Sequence, residues 1–263
     1  MTLLGNLRYK FGGSYSLWKL YHLVVADAVA LQSPTKFNLI YGFLGRDLGV
    51  VADVGCGPGV FTRYLSRHAK VVWAADISLN TLQRTRARHR ENSNVRFVLT
   101  EASRLPFPGG CFDTIVFLEV LEHLQDDRGA VEELFRLLKP GGKLVLSVPV
   151  PPGEINHDDP WGHKREGYTL AELQDLLRSS HLEVEQHGFA QFKFSRLGEK
   201  AVNFWRRTFH VSAPIFLSWV CYLDLLLNAN DRRAGRHLPS SLVVLARKPS
   251  VSDSHDAEQS PVL

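Results

Sequence analysis

VADVGCGPG, at residues 51–59, is the stretch that decides the fold of this 263-residue chain. Its first residues predict a short buried strand, and a helix is expected to begin near Phe61. Gly55, Gly57 and Gly59 allow the backbone to turn sharply and leave no side chain between that backbone and a ligand. Because open α/β sheets bind ligands beyond the carboxyl end of the first strand, this turn predicts a binding site.

Two acidic residues near the turn narrow the class of ligand. The glycines follow a GxGxG spacing, whereas the third glycine of a dinucleotide fingerprint would fall at Val60. Asp53 precedes the turn, where a carboxylate disfavours a pyrophosphate and suits an ammonium group. Asp76 ends the next apolar run, at the distance at which βαβ units place an acid for a ribose diol. These residues indicate a nucleoside with a cationic tail and no phosphate, and S-adenosylmethionine fits that description.

Strand and helix patterns alternate along the chain, which is typical of an α/β fold with a parallel sheet. Apolar runs predict strands near 50–54, 71–75, 95–99, 112–118, 143–149, 182–190 and 241–247. Helices are expected at 14–32, from about 35 to 44, and near 60–68, 79–90, 128–138 and 169–180.

Five motifs together resemble the class I S-adenosylmethionine-dependent methyltransferases, most closely the branch that acts on small molecules and lipids. They are VADVGCGPG (51–59), AADIS (74–78), TEASRLPFPGGCFD (100–113), EVLEHL (119–124) and LKPGGKLVLSVP (138–149). The resemblance covers roughly residues 45–190 plus the last strand. It implies a Rossmann-like, seven-stranded, mostly parallel sheet with helices on both faces, into which the last strand, Leu242–Ala246, inserts antiparallel.

The resemblance assigns roles to the motif residues on the cofactor side. The glycine turn would pass under the methionine and ribose parts of S-adenosylmethionine. Asp53 would meet its ammonium end directly or through water, Asp76 would accept hydrogen bonds from both ribose hydroxyls, and Ile77 would pack on adenine.

Residues after the third and fourth strands complete the expected cofactor site. Glu101 and Ala102 stand where the family has an acid that meets the adenine amino group, although this acid is Glu and the family pattern has Asp. Leu118 and Glu119 end the fourth strand and are expected beside the sulfonium.

The acceptor side is expected in the loops that follow the fourth and fifth strands. His123 is a candidate general base because its unperturbed pKa lies near neutrality. Capping of the following helix or binding of a loop backbone is the alternative role for this side chain. The long loop at 149–169 adds Trp161, His163 and Tyr168 as acceptor-site candidates, and we take His123, His163 and Tyr168 as the predicted catalytic residues.

A metal site is the alternative use of the same region. Glu119, Glu122 and His123, with His157 or His163, resemble the two acids and two histidines of the small-RNA 3′-end methyltransferases. The doubled histidine pattern of that family's later motif is not clearly reproduced, so the sequence favours a site without metal.

Residues 192–238 form a predicted helical insert, rich in aromatic and basic residues, between the sixth and last strands. Its segment 214–228 is apolar on most sides, so this segment is expected to pack on the sheet, to dimerise, or to lie on a membrane interface. The predicted organisation is an N-terminal helical cap (1–44), a methyltransferase core (45–191 plus 239–249), this insert and a disordered tail (250–263).

The composition of the chain limits which binding partners and which cellular compartment are expected. The net charge of +4 favours anionic surfaces without arguing for nucleic acid. The three cysteines have no metal-binding spacing and are expected to be reduced thiols. We see neither a signal peptide nor an apolar run that could span a bilayer. The expected localisation is therefore cytoplasmic, with peripheral membrane contact through 192–238 as an option, and the oligomeric state stays open.

The predicted function is methyl transfer from S-adenosylmethionine to a small-molecule acceptor of apolar or lipid-like character. Two alternatives remain: a metal-dependent RNA methyltransferase, and a non-catalytic cofactor-binding partner protein. Val60 and Asp53 disfavour a NAD-dependent oxidoreductase. Because the methyl donor is already activated, positioning alone can supply much of the catalysis, and few catalytic side chains are expected.

Overall fold

The computed structural model describes residues 34–151, 162–190 and 240–250 of the chain. The predicted helix at 14–32, the insert at 192–238 and the tail beyond residue 250 lie outside the described residues. The described residues from Asn38 onward belong to one compact unit. The division into cap, core and insert stays a prediction.

Strands and helices alternate along the described chain as the apolar patterns predict. The strands are β1 (Val50–Val54), β2 (Val71–Asp76), β3 (Val95–Leu99), β4 (Phe112–Leu118), β5 (Leu138–Pro149), β6 (Glu183–Ala190) and β7 (Ser241–Arg247). The helices are α1 (Pro34–Leu44), α2 (Val60–Leu65), α3 (Leu79–Arg88), α4 (Asp127–Leu137) and α5 (Leu170–Ser179), with a short 3₁₀ helix at Leu121–His123.

The seven strands form one sheet in the order β3-β2-β1-β4-β5-β7-β6. The pairs from β3 to β5 are all parallel, whereas β7 runs antiparallel to both β5 and β6. This topology confirms the predicted mostly parallel sheet with an antiparallel last strand. It also brings the carboxyl ends of β1, β2, β4 and β5 to one edge of the sheet, where open α/β sheets bind their ligands.

The fifth strand differs from the sequence prediction at its start. It begins at Leu138 rather than near residue 143, because α4 passes directly into extended chain that pairs with Phe112 of β4. The register then shifts, and Gly141 takes a left-handed conformation with φ +75°. Residues 139–142, which lie between the predicted helix and the predicted strand, therefore belong to a longer strand with an irregularity in its pairing.

Two hydrophobic cores cover the two faces of the sheet, because successive side chains of a strand point to opposite faces. Along β1, Ala52 and Val54 belong to one core and Val51 belongs to the other. Helices α4 and α5 pack on the first core through Val131, Leu134, Leu137, Leu173 and Leu177. Helices α1, α2 and α3 pack on the second through Ile40, Leu44, Leu65 and Leu82. The central strands are consequently buried on both faces, as expected of a parallel sheet.

Across 34–151, 162–190 and 240–250, every helix is too short or too polar to cross a lipid bilayer.

Candidate functional site

The glycine turn after β1 is tied to the end of β2 by backbone hydrogen bonds. The N–H groups of Gly55 and Cys56 donate to the carbonyl oxygen of Ala75 at 2.8 and 3.0 Å. The N–H of Gly57 donates to the carboxylate of Asp76 at 2.9 Å. The turn and the acid predicted from the sequence therefore form one structure, which we call the glycine-turn site (residues 53–59 with Asp76 and Ile77).

Two glycines of the turn serve different purposes. A Cβ atom on Gly57 would meet nothing closer than a backbone oxygen 4.0 Å away, so this position faces open space that a ligand can occupy. A Cβ atom on Gly59 would overlap the methyl group of Thr85 and the ring of His89 on the neighbouring helix and its end. Gly59 also has a φ of +78°, so both packing and backbone conformation require glycine there.

Asp76 is held in a defined orientation by backbone donors on both of its carboxylate oxygens. Gly57 donates to one oxygen and Ser78 to the other, each at 2.9 Å. Ser78 in turn caps α3, because its hydroxyl accepts a hydrogen bond from the N–H of Thr81 at 3.2 Å. Each carboxylate oxygen has more than one acceptor position, so the half-buried Asp76 can still accept hydrogen bonds from a ribose diol.

Exposed aliphatic side chains lie near Asp76: Ile77 and Leu79 follow it in the chain, and Leu99 is its pairing partner on β3. Ile77 is 71% exposed, Leu79 is 55% exposed and Leu99 is 53% exposed. Glu101, which follows β3, is exposed and Ala102 is half-buried, and the nearby Thr100 N–H donates to the carbonyl of Asp76 at 3.1 Å. An anchored carboxylate beside exposed apolar side chains fits a nucleoside, with the acid for the ribose and the aliphatic groups for the base.

Asp53 is buried at the end of β1, and its carboxylate accepts a hydrogen bond from the hydroxyl of Thr62 at 2.5 Å. Burial raises the pKa of Asp53 to about 6, opposed by the Thr62 hydrogen bond and reinforced by the negative charge of Asp76. A cation placed beside this carboxylate would favour its ionised form. The position therefore suits the ammonium end of the expected ligand.

Glu119 has an unusual backbone conformation immediately after β4. Its φ is +53°, which costs a non-glycine residue of the order of 1–3 kcal/mol. The chain is held there by two hydrogen bonds with Ser147 of β5. The Glu119 N–H donates to the Ser147 carbonyl at 2.9 Å, and the Ser147 hydroxyl donates to the Glu119 carboxylate at 2.7 Å. Leu118 thus ends β4 at the predicted edge, and Glu119 follows it with its side chain anchored to β5.

Two predicted catalytic histidines come together on the acceptor side. The rings of His123 and His163 stack with their centroids 4.5 Å apart and their planes inclined by 30°. Glu122 lies beside them and is completely buried. One ligand atom from each of the three residues lies within 4.8 Å of the others, so the group could hold a metal ion. We call Glu122, His123 and His163 the histidine cluster.

Tyr168 is buried, and its hydroxyl donates to the carboxylate of Asp127 at 3.0 Å. Arg165 pairs with the same carboxylate at 2.8 Å, and its guanidinium group lies 5.0 Å from the centre of the Tyr168 ring. Burial and then the contact with Asp127 raise the pKa of Tyr168, so its hydroxyl stays protonated. A catalytic role for Tyr168 stays a prediction, and the structure gives this side chain a second role as a hydrogen-bond donor to Asp127. Trp161 and His157 lie outside the described residues.

Three partners of the site were missed by the sequence reasoning. Thr62 donates to Asp53, Ser147 donates to Glu119, and Asp127 accepts from Tyr168. The only signal for Ser147 was its place on the strand next to β4 in the predicted sheet. No local pattern marked Thr62 or Asp127, because each meets its partner through packing between different elements.

Comparisons with known proteins place the core of the chain beside methyltransferases. Residues 52–146 match the family model described as a methyltransferase domain. A probable S-adenosylmethionine-dependent methyltransferase of Mycolicibacterium smegmatis is 34% identical over 152 residues, which are 56% of this chain and 56% of that protein. The demethylmenaquinone methyltransferase of Tropheryma whipplei is 35% identical over 129 residues, which are 44% of this chain and 54% of that protein. The chain therefore spans about half the length of these curated relatives.

Solved structures share the fold. The N-methyltransferase NodS from Bradyrhizobium japonicum, in complex with S-adenosyl-L-homocysteine, superposes with a TM-score of 0.55 at 18% identity. The superposition covers 90% of this chain and 100% of that one. At this level of identity the likeness concerns the fold, and the arrangement of the site is argued from the residues described above.

Proposed function

Since this chain belongs to the class I S-adenosylmethionine-dependent methyltransferases, we propose that it transfers the methyl group of S-adenosylmethionine to a small molecule of apolar or lipid-like character. The observation that carries the proposal is the glycine-turn site. There, the Asp76 carboxylate is oriented by the N–H groups of Gly57 and Ser78 beside the exposed Ile77. This arrangement provides acceptors for a ribose and an apolar surface for a base.

The residues of the site contribute mainly by binding and orientation. S-adenosylmethionine supplies an electrophilic methyl group on a sulfonium. Asp76 would accept hydrogen bonds from the ribose hydroxyls, and Asp53 would balance the ammonium charge directly or through water. Glu119 marks the end of β4, where the chain is fixed by its hydrogen bonds to Ser147. Such positioning of two reactants can lower a barrier by about 7–11 kcal/mol in favourable cases, so no strong acid or base is required.

The acceptor class is supported by two weaker observations. One relative is named for demethylmenaquinone, and the predicted insert at 192–238 is rich in aromatic side chains. An insert that binds or approaches apolar molecules would explain that composition, and it would also permit peripheral membrane contact. The proposed partner is accordingly a small-molecule or lipid substrate, and nucleic acid is not expected.

Transfer of a labelled methyl group from S-adenosylmethionine into a cell extract tests the proposal. The products are separated into organic-soluble, water-soluble and macromolecular fractions. We expect the label in the organic fraction, and we expect it to be lost in the Asp76→Ala variant. The control variant Asp175→Ala should retain it, because the Asp175 carboxylate is exposed in a surface ion pair on α5. Label in the macromolecular fraction would favour the RNA alternative. A protein that binds the cofactor and transfers no label would favour the non-catalytic alternative.

A further inference from the structure

The histidine cluster has the composition of a metal site. Glu122 and His123 end the 3₁₀ helix that follows β4, and His163 comes from the chain after β5. Their ligand atoms lie within 4.8 Å of one another, the spacing that permits all three to reach one ion. Glu122 is fully shielded from solvent, and both imidazoles are half-buried.

The two segments that supply the cluster are fixed to each other by the backbone. The N–H of Lys164 donates to the carbonyl of Glu122 at 2.8 Å, so the residue after His163 is bonded to the 3₁₀ helix itself. The N–H of Tyr168 donates to the carbonyl of Pro149 at 2.9 Å, which anchors the far end of the same segment to β5. The segment is also tied to α4, because Arg165 and Tyr168 both contact Asp127. The ligand atoms are therefore brought together by contacts that do not involve an ion.

We propose that Glu122, His123 and His163 bind a divalent first-row transition metal ion, and that this ion binds a hydroxyl oxygen of the methyl acceptor. Two imidazoles and one carboxylate suit borderline ions such as Zn²⁺, Fe²⁺ or Co²⁺ better than Mg²⁺ or Ca²⁺, which prefer oxygen ligands. Three protein ligands also leave coordination positions open, as in catalytic sites and unlike closed structural sites. The sequence favoured a site without metal. We propose instead the metal site that Sequence analysis gave as the alternative, with His163 as its second histidine.

The place of the cluster in the chain connects it to the reaction. Glu119 ends β4 where the sulfonium is expected, and the 3₁₀ helix that carries Glu122 and His123 begins at Leu121. An ion held there would lie on the acceptor side of the same sheet edge. This part of the inference rests on the proposed function, whereas binding of the ion does not.

The acceptor hydroxyl binds the ion through its oxygen and releases its proton to solvent, because a bound cation lowers the pKa of a coordinated hydroxyl. A lone pair of that oxygen forms a bond to the methyl carbon. The carbon–sulfur bond breaks and its electron pair stays on sulfur, which yields a methyl ether and neutral S-adenosylhomocysteine sulfur. The methyl acceptor is therefore a hydroxyl compound.

Binding of Co²⁺ to the full, tag-free chain tests the site itself. The protein is first stripped with a chelator, and Co²⁺ is then followed by visible absorption and calorimetry. We expect one ion per chain and a loss of affinity of more than about tenfold in His163→Ala and in the isosteric Glu122→Gln. His187→Ala, which changes an exposed histidine on β6 outside the cluster, should bind Co²⁺ as the parent protein does. The proposal is overturned if the parent protein does not bind Co²⁺, or if both cluster variants bind it unchanged.

Two further measurements separate the metal site from the methyl transfer. Calorimetry with S-adenosylmethionine should give similar affinities for the parent protein, His163→Ala and Glu122→Gln, which shows that the variants fold. Labelled methyl transfer should be lost after chelation and return when Co²⁺ or Zn²⁺ is added. Transfer that survives chelation and His163→Ala would overturn the role of the ion and leave the proposed function standing. One ion per chain, lost in the cluster variants, with no transfer under any condition would support the site and contradict the proposed function.

Discussion

The glycine-turn site and the histidine cluster lie at the same edge of the sheet, and the chain builds them in different ways. The glycine-turn site comes from two consecutive strands, and backbone N–H groups orient its carboxylate. The cluster needs side chains from two segments separated by α4 and β5, held by a backbone hydrogen bond between Lys164 and Glu122. A site made from local turns is visible as a motif, whereas for a site made by packing the sequence offers several candidate residues and the distances decide which of them meet.

The first test of this contrast measures whether packing against α3 restricts the glycine turn. Gly59→Ala should lower the free energy of unfolding by about 2–4 kcal/mol, because it combines a left-handed backbone with overlap against Thr85 and His89. Gly110→Ala is the matched control, since Gly110 also has a positive φ of +65° but open space around it. Its loss should be about 1–2 kcal/mol. Equal losses in urea unfolding would show that packing against α3 does not restrict the turn.

The second test asks whether the two sites can be separated. Asp76→Ala should weaken S-adenosylmethionine binding by about 1–3 kcal/mol, the scale of hydrogen bonds to a charged group. Binding of Co²⁺ to the histidine cluster should be unchanged in the same protein. Calorimetry with each ligand makes the comparison, and Asp175→Ala serves as the control. Unchanged cofactor affinity would remove Asp76 from the site.

The third test uses the pH dependence of cofactor binding. The pKa of Asp53 is raised to about 6 by burial, so the carboxyl is protonated below that pH and must lose its proton beside an ammonium group. Affinity for S-adenosylmethionine should therefore fall as pH decreases from 7 to 5, by up to about tenfold per pH unit below 6. The ammonium itself stays protonated over this range, because an α-amino group has a pKa near 8.

Asp53→Asn provides the control for that pH dependence. Asparagine retains an oxygen that can accept the Thr62 hydrogen bond, but it has no charge and no proton to lose in this range. Its cofactor affinity should be lower than that of the parent protein at pH 7 and flat between pH 5 and 7. A parent protein whose affinity is equally flat would place the ammonium group away from Asp53.

The smallest expected effect concerns Tyr168. Tyr168→Phe removes the hydrogen bond to Asp127 and should lower the free energy of unfolding by about 1 kcal/mol, since Arg165 still pairs with that carboxylate. Methyl transfer should fall by less than about tenfold. Asp127→Ala removes both the Tyr168 hydrogen bond and the Arg165 ion pair, so its loss of stability should be larger than that of Tyr168→Phe. A large loss of transfer at unchanged stability would instead make Tyr168 a catalytic residue, as the sequence predicted.

Much of the fold was predictable because it depends on short-range patterns. Apolar runs located every strand of the sheet, and the glycines with Asp76 marked the carboxyl ends of β1 and β2, which the structure brings together. The start of β5 was wrong because Leu138 is extended through pairing with Phe112, which no local pattern of the KPGG segment indicates. Thr62 and Ser147 were missed for a related reason. Their roles depend on which side chain of a neighbouring element faces them.

The sequence by itself determined the strands and helices of the sheet and the glycine turn with Asp76 at its edge, since these follow from periodicity and from backbone turns a few residues long, and its motifs indicated the antiparallel last strand through their resemblance to methyltransferases. The tertiary structure decided which acceptor-side residues come together. It stacked His163 on His123 beside the buried Glu122, and it directed the Tyr168 hydroxyl to Asp127. The physical reason is that contacts between distant segments depend on how whole elements pack, and the same local sequence permits many such arrangements.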